Sequence, residues 1–134
     1  MLQQKTARCR EDYLQVHAKR LVESQDLIVS EDLKVKSLLK NHKLAYSIAD
    51  VSWGSFSALL KQKAELYGKE YIKVPAQYTT QTCSECGHIM KGKEKIRLGV
   101  NQWMCPVCGK KHNRDHNAAK VVLQRGFAIK ALLT

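Results

Sequence analysis

A chain of 134 residues has room for one domain, or for a small domain carrying a smaller insert. Its 23 Lys and Arg against 12 Asp and Glu give a net charge of +11 and a pI of about 9.6, which points to a polyanion as partner. No apolar run reaches the ~18 residues of a membrane span, and the opening MLQQKTARCREDYLQVHAKR is charged throughout, unlike a secretory signal. The expected setting is therefore a reducing cytoplasm, where paired cysteines bind metal rather than form disulfides.

In chain order, residues 7–24 place Tyr13, Leu14, Val16, His17, Leu21 and Val22 on one stripe, the spacing of an amphipathic helix. Cys9 near its start has no partner pair and is expected to serve packing. The stretch DLIVSEDL, residues 26–33, reads as a short buried strand with Glu31 at its end. Residues 34–43 carry Lys34, Lys36, Lys40 and Lys43 and no acid, a basic loop or short helix that suits either a nucleic-acid backbone or a solvated face. Next, Leu44, Ile48, Ala49, Phe56, Leu59, Leu60, Ala64 and Tyr67 recur at helical spacing. Ser52 ahead of Gly54 predicts two helical pieces in line, and Gly68 stands where a helix C-cap belongs. EYIKVP, closed by Pro75, reads as a second strand. DHNAAKVVLQRGFAIKALL reads as a last helix, with Gly126 a break. Strands alternating with helices predict an α/β layer.

Between the second strand and the last helix lies the strongest motif, Cys83-x2-Cys86, eighteen residues, then Cys105-x2-Cys108. Each pair can set two thiolates on one turn, and four thiolates close a tetrahedral Zn²⁺ shell, with a hairpin between the pairs. Gly87 and Gly109 follow the pairs, where a tight knuckle calls for positive φ. His88 and His112 flank the site, but four cysteines already satisfy the ion. A filled shell makes such zinc structural, so any catalysis lies elsewhere.

Two acids are candidates. Glu31 ends a strand, where a carboxylate can point into the crevice outside an α/β sheet. Asp115 opens the last helix among polar neighbours. The plain alternatives are that Asp115 is a helix N-cap and Glu31 a solvated turn residue.

IVSEDLKVKSLLKNHKLAYSIADVSWGSF, YTTQTCSECGH and CPVCGKKHNRDHNAAKVV together resemble the C-terminal half of the OrfB/TnpB proteins of insertion sequences, RNA-guided DNA nucleases once described as transposases. The resemblance runs from about Leu27 to Leu123. It implies a partial RNase H-like, RuvC-like layer in residues 1–77, a zinc-ribbon insert in 78–114 and the last helix of the layer in 115–134. It further implies that Glu31 matches the second and Asp115 the third of three acids that bind Mg²⁺ or Mn²⁺. Lys110, Lys111 and Arg114 would face a DNA or guide-RNA backbone, as would the four lysines of 34–43. Asn113 stands where many relatives have Asp. The family's first acid lies on an opening strand, and nothing before residue 26 reads as a strand. The chain is thus expected to be a C-terminal fragment, lacking an N-terminal portion of the nuclease and inactive alone. A stand-alone zinc-ribbon protein that binds nucleic acid without cutting it, and a zinc-stabilised protein-interaction module, stay open as alternatives.

Overall fold

The computed structural model describes residues 2–32, 48–97 and 99–133, and the chain divides into two compact units, Met1–Ile72 and Lys73–Thr134. The first unit opens with helix α1, Leu2–Ser24, which extends the predicted helix back through a run free of helix breakers. Its buried line is narrower than the predicted stripe. Ala18 and Val22, one turn apart, are fully buried, while Tyr13, Val16 and Leu21 are exposed. A single facing helix covers only one line of side chains. Cys9, expected to serve packing, is exposed.

Strand β1 spans Leu27–Asp32, and of the expected buried strand only Ser30 is fully buried, the rest being half-buried or, at Asp32, exposed. Helix α2, Ile48–Leu66, runs unbroken through Ser52 and Gly54, where two pieces were expected. An interior glycine costs a helix only ~1 kcal/mol, which burial of Leu60 and Ala64 offsets. Lys34, Lys36, Lys40, Lys43 and Leu44 lie outside the described residues. Strand β2, Glu70–Pro75, is the hydrogen-bonded neighbour of β1.

Gly68 ends α2 as predicted, at φ +68°. The Lys69 N–H donates to the Ala64 carbonyl at 2.8 Å and the Gly68 N–H to that of Glu65 at 3.4 Å, the paired bonds of a Schellman cap. The unit's core is Ala18, Val22 and Leu60, flanked by Ile28, Phe56, Leu59 and Tyr71. Within it the Tyr71 hydroxyl lies 2.5 Å from Ser30 Oγ and 2.8 Å from Ser57 Oγ, so the polar atoms brought inside are paired.

In the second unit, β3 (Gln102–Met104) and β4 (Lys111–Asn113) form an antiparallel hairpin, with Trp103 opposite His112. The hairpin straddles the second cysteine pair instead of lying between the pairs. The segment between them holds a 3₁₀ turn at Gly92–Glu94, and a single bridge, Thr82 with Ile89, straddles the first pair. Helix α3, Arg114–Leu133, follows β4 directly. It passes Gly126 without a break, and that glycine is buried with Asn117, Val121 and Val122 along the helix. Among the described residues no helix is long and apolar enough to cross a membrane.

Candidate metal centre and the helix it leads into

The two Cys-x-x-Cys segments fold into the same knuckle. In the first, the Gly87 N–H donates to the Cys83 carbonyl at 2.8 Å and the Cys83 N–H to that of His88 at 2.8 Å. In the second, Gly109 donates to Cys105 at 2.9 Å and Cys105 to Lys110 at 2.9 Å. Both turns close on a glycine with positive φ, +81° at Gly87 and +74° at Gly109, a conformation a β-carbon would strain. The repeated sequence spacing thus becomes repeated geometry.

The knuckles bring the four sulfurs together. The ligand atoms of Cys83, Cys86, Cys105 and Cys108 all lie within 4.8 Å of one another. Across the knuckles, Cys83 and Cys108 are 3.7 Å apart and Cys86 and Cys105 3.6 Å. A tetrahedron with metal–sulfur bonds of ~2.3 Å has edges of roughly 3.8 Å, so this spacing is that of four thiolates around one ion, far wider than a disulfide. Cys83 and Cys105 are 1% exposed, whereas Cys86 and Cys108 are open to solvent.

At Cys105, burial opposes the thiolate, but the backbone N–H groups of Cys108 and Val107 and the neighbouring thiols outweigh it and bring its pKa down to about 6. At Cys86 the backbone N–H of His88 favours the thiolate, yet desolvation and the sulfurs of Cys105, Cys83 and Cys108 push its pKa up to about 12. Cys108 is also raised, with the Lys110 backbone N–H opposing the rise. The Cys105 thiolate is favoured while Cys86 and Cys108 resist charge, a conflict that a bound cation removes.

The two flanking histidines do other work than ligation. His88 Nε2 pairs with Glu94 Oε2 at 2.7 Å. His112 is buried, and desolvation, then Lys120 and Lys110, lower its pKa against an opposing Glu85, which keeps the ring neutral near pH 7. Its Nε2 lies 3.1 Å from Cys83 Sγ, and its ring rests on Trp103 at 4.7 Å. Were Cys83 held as a metal-bound thiolate, the Nε2–H tautomer of His112 would donate to it.

The chain leaves the second knuckle through β4 and enters α3 at once. The cap of that helix is Asn113, whose Oδ1 accepts the N–H groups of Asp115 and His116, each at 3.1 Å. Asp115 is therefore the second residue of the helix, exposed, and relieved of the capping role that was its plainer reading. Glu31 lies in the first unit, half-buried near the end of β1 and next to inward-facing Ser30, so by strand alternation it takes the opposite face. Lys110 and Lys111 are exposed and Arg114 half-buried.

Sequence reasoning missed Asn113 as the cap and passed over Asn117. An Asn–Arg–Asp run at the mouth of a helix was the available signal for the first. For the second it was a poor helix former set just ahead of two alanines.

In the second unit, then, four clustered thiols lead directly into a capped helix that presents an exposed carboxylate. Residues 53–122, just over half of the chain, match the family model "Cas12f1-like, TNB domain". Over 121 residues the chain is 38% identical to a Streptomyces pristinaespiralis protein provisionally named an RNA-guided DNA endonuclease, covering 90% of this chain and 29% of that one. Over 114 residues it is 35% identical to TnpB-like protein L79 of Acanthamoeba polyphaga mimivirus, covering 80% and 21%. Its fold matches the protein in a Cas12f1–sgRNA–target DNA complex with a TM-score of 0.62 at 23% identity, covering 90% of this chain and 35% of that one. The chain belongs to the TnpB family. It spans about a third or less of the length of these relatives.

Proposed function

We propose that this chain is the C-terminal part of a TnpB-type RNA-guided DNA endonuclease. In this reading residues 1–77 belong to a RuvC-like, RNase H-like layer, 78–114 form a zinc ribbon and 115–134 supply the layer's last helix. Cys83, Cys86, Cys105 and Cys108 hold one structural Zn²⁺, for which the donor set and the sulfur spacing are suited. Glu31 and Asp115 are two of the carboxylates that hold Mg²⁺ or Mn²⁺, and a further acid comes from the remainder of the nuclease. When bound, such ions supply activated water and stabilise the leaving oxygen of a phosphodiester. The chain's own part is to present hard oxygen donors and to draw DNA and guide RNA to Lys34, Lys36, Lys40, Lys43, Lys110, Lys111 and Arg114.

The observation that carries this reading is the exposed Asp115 carboxylate at the head of α3, freed by the Asn113 cap and fed directly by the second knuckle. In a full-length relative carrying this segment with guide RNA, Glu31→Gln or Asp115→Asn should each abolish cutting while DNA binding stays nearly intact. Each swap keeps the size of the side chain and removes the charge that holds the metal. Cutting that survives both substitutions would remove the assignment. The 134 residues alone, lacking the complete set of acids, should bind nucleic acid in a salt-dependent manner and cut nothing.

A further inference from the structure

The head of α3 is joined to both halves of the four-thiol site by different means. To the second knuckle the link is covalent, Arg114 lying five residues after Gly109 through β4, reinforced by the Arg114 N–H donating to the Asn101 carbonyl at 2.7 Å. To the first knuckle the link is a side-chain amide. Asn117 Oδ1 accepts the Ser84 N–H at 2.9 Å, and Asn117 Nδ2 donates to the Thr82 carbonyl at 2.7 Å, so both ends of one amide grip the backbone on either side of Cys83. Two turns further along the same helix, Gln124 Nε2 donates to the Ser84 carbonyl at 2.8 Å. Asn117 is 1% exposed and sits where a helix favours almost any other polar residue less prone to compete for backbone groups. A buried amide with both functions satisfied holds one geometry, and a half-satisfied one is costly.

An ion at the four sulfurs draws the two knuckles together, and both knuckles are fastened to the first turn of α3. We infer that Asn117 is a positioning residue: it couples occupancy of the four-thiol site to the rigidity of the helix head, and through it to the aim of Asp115. The inference rests on the reading of the four thiols as a zinc site, and zinc content tests that reading separately.

Hydrogen exchange of the 134-residue chain, zinc-loaded and chelator-stripped, measures the coupling. Stripping zinc from the unsubstituted protein should speed exchange across residues 114–118 by roughly tenfold or more, while residues 127–133 change little. Asn117→Ala should retain one zinc and yet exchange quickly at 114–118 whether loaded or stripped. Asn117→Asp, which keeps the acceptor for Ser84 and loses the donor to Thr82, should fall between. An asparagine with a purely structural part would raise exchange equally in both states and leave the response to zinc intact, which overturns the proposal. If Asn117→Ala fails to fold, the unsubstituted protein decides, because a first turn indifferent to zinc is equally fatal. Protein that binds no zinc removes the underlying reading and this proposal with it, whereas bound zinc with an unresponsive first turn overturns this proposal alone.

Discussion

In Met1–Ile72 the buried interior is mostly carbon: Ala18, Val22 and Leu60, ringed by Ile28, Phe56, Leu59 and Tyr71. Among the described residues of Lys73–Thr134 the largest fully buried side chains include Cys83, Cys105 and Asn117 beside Met90 and Val74, so sulfur and amide share the interior with hydrocarbon. The contrast follows from the local sequences. Two helices with apolar residues one turn apart can bury area against each other, which stabilises in proportion to that area. Two knuckles and three-residue strands bury too little for that and depend on directional bonds. The first unit should therefore weaken by degrees, and the second should switch with the proposed zinc ion.

The largest expected effect is loss of that ion. Structural zinc contributes on the order of 10 kcal/mol to small ribbons, so chelation, or Cys105→Ser, should erase protection across residues 80–113 while the first unit keeps its helical signal. Elemental analysis together with hydrogen exchange tests both halves of this statement, and an intact ribbon without metal would show that the contrast between the units is false. Next in size is a truncation in the carbon core. Leu60→Ala at a 3% exposed site should cost about 2–5 kcal/mol, lowering the first unit's urea midpoint and leaving zinc stoichiometry at one per chain. Tyr71→Phe ranks third. It removes the hydroxyl shared by Ser30 and Ser57 and leaves two buried serines short of a partner, for about 1–3 kcal/mol in the same titration.

How much of this was legible in the sequence varies with the range of the determining forces. The knuckles were readable because ligand spacing and the glycines at 87 and 109 are local constraints, and they fold as the spacing predicts. β2 and the Gly68 cap were readable for the same reason. The number of helical pieces was not. Whether Gly54 or Gly126 breaks a helix depends on the burial that surrounds it, and that is set by distant residues. The exposed Tyr13, Val16 and Leu21 teach the same point, since periodicity marks a face without saying how much of it a neighbour covers. At the helix head, Asp115 was legible as a position, but its release from capping was not. Asn113 and Asp115 are both good caps, and only the hydrogen bonds decide between them.

That choice yields the smallest and most local test of the contrast. Asn113→Ala removes the acceptor for the Asp115 and His116 N–H groups and should cost about 1 kcal/mol. The loss should appear as faster exchange in the first turn of α3, with zinc content and the first unit unchanged. Asn113→Asp keeps the acceptor and adds a negative charge at the positive end of the helix dipole, which should return the lost stability and add roughly 0.3–1 kcal/mol at low salt. The gain should shrink as salt is raised, because the site is exposed to solvent. If Asn113→Ala leaves the first turn as protected as before, a different side chain caps the helix. Asp115 is the nearest candidate, and a carboxylate engaged with its own helix would no longer be free to hold a metal ion.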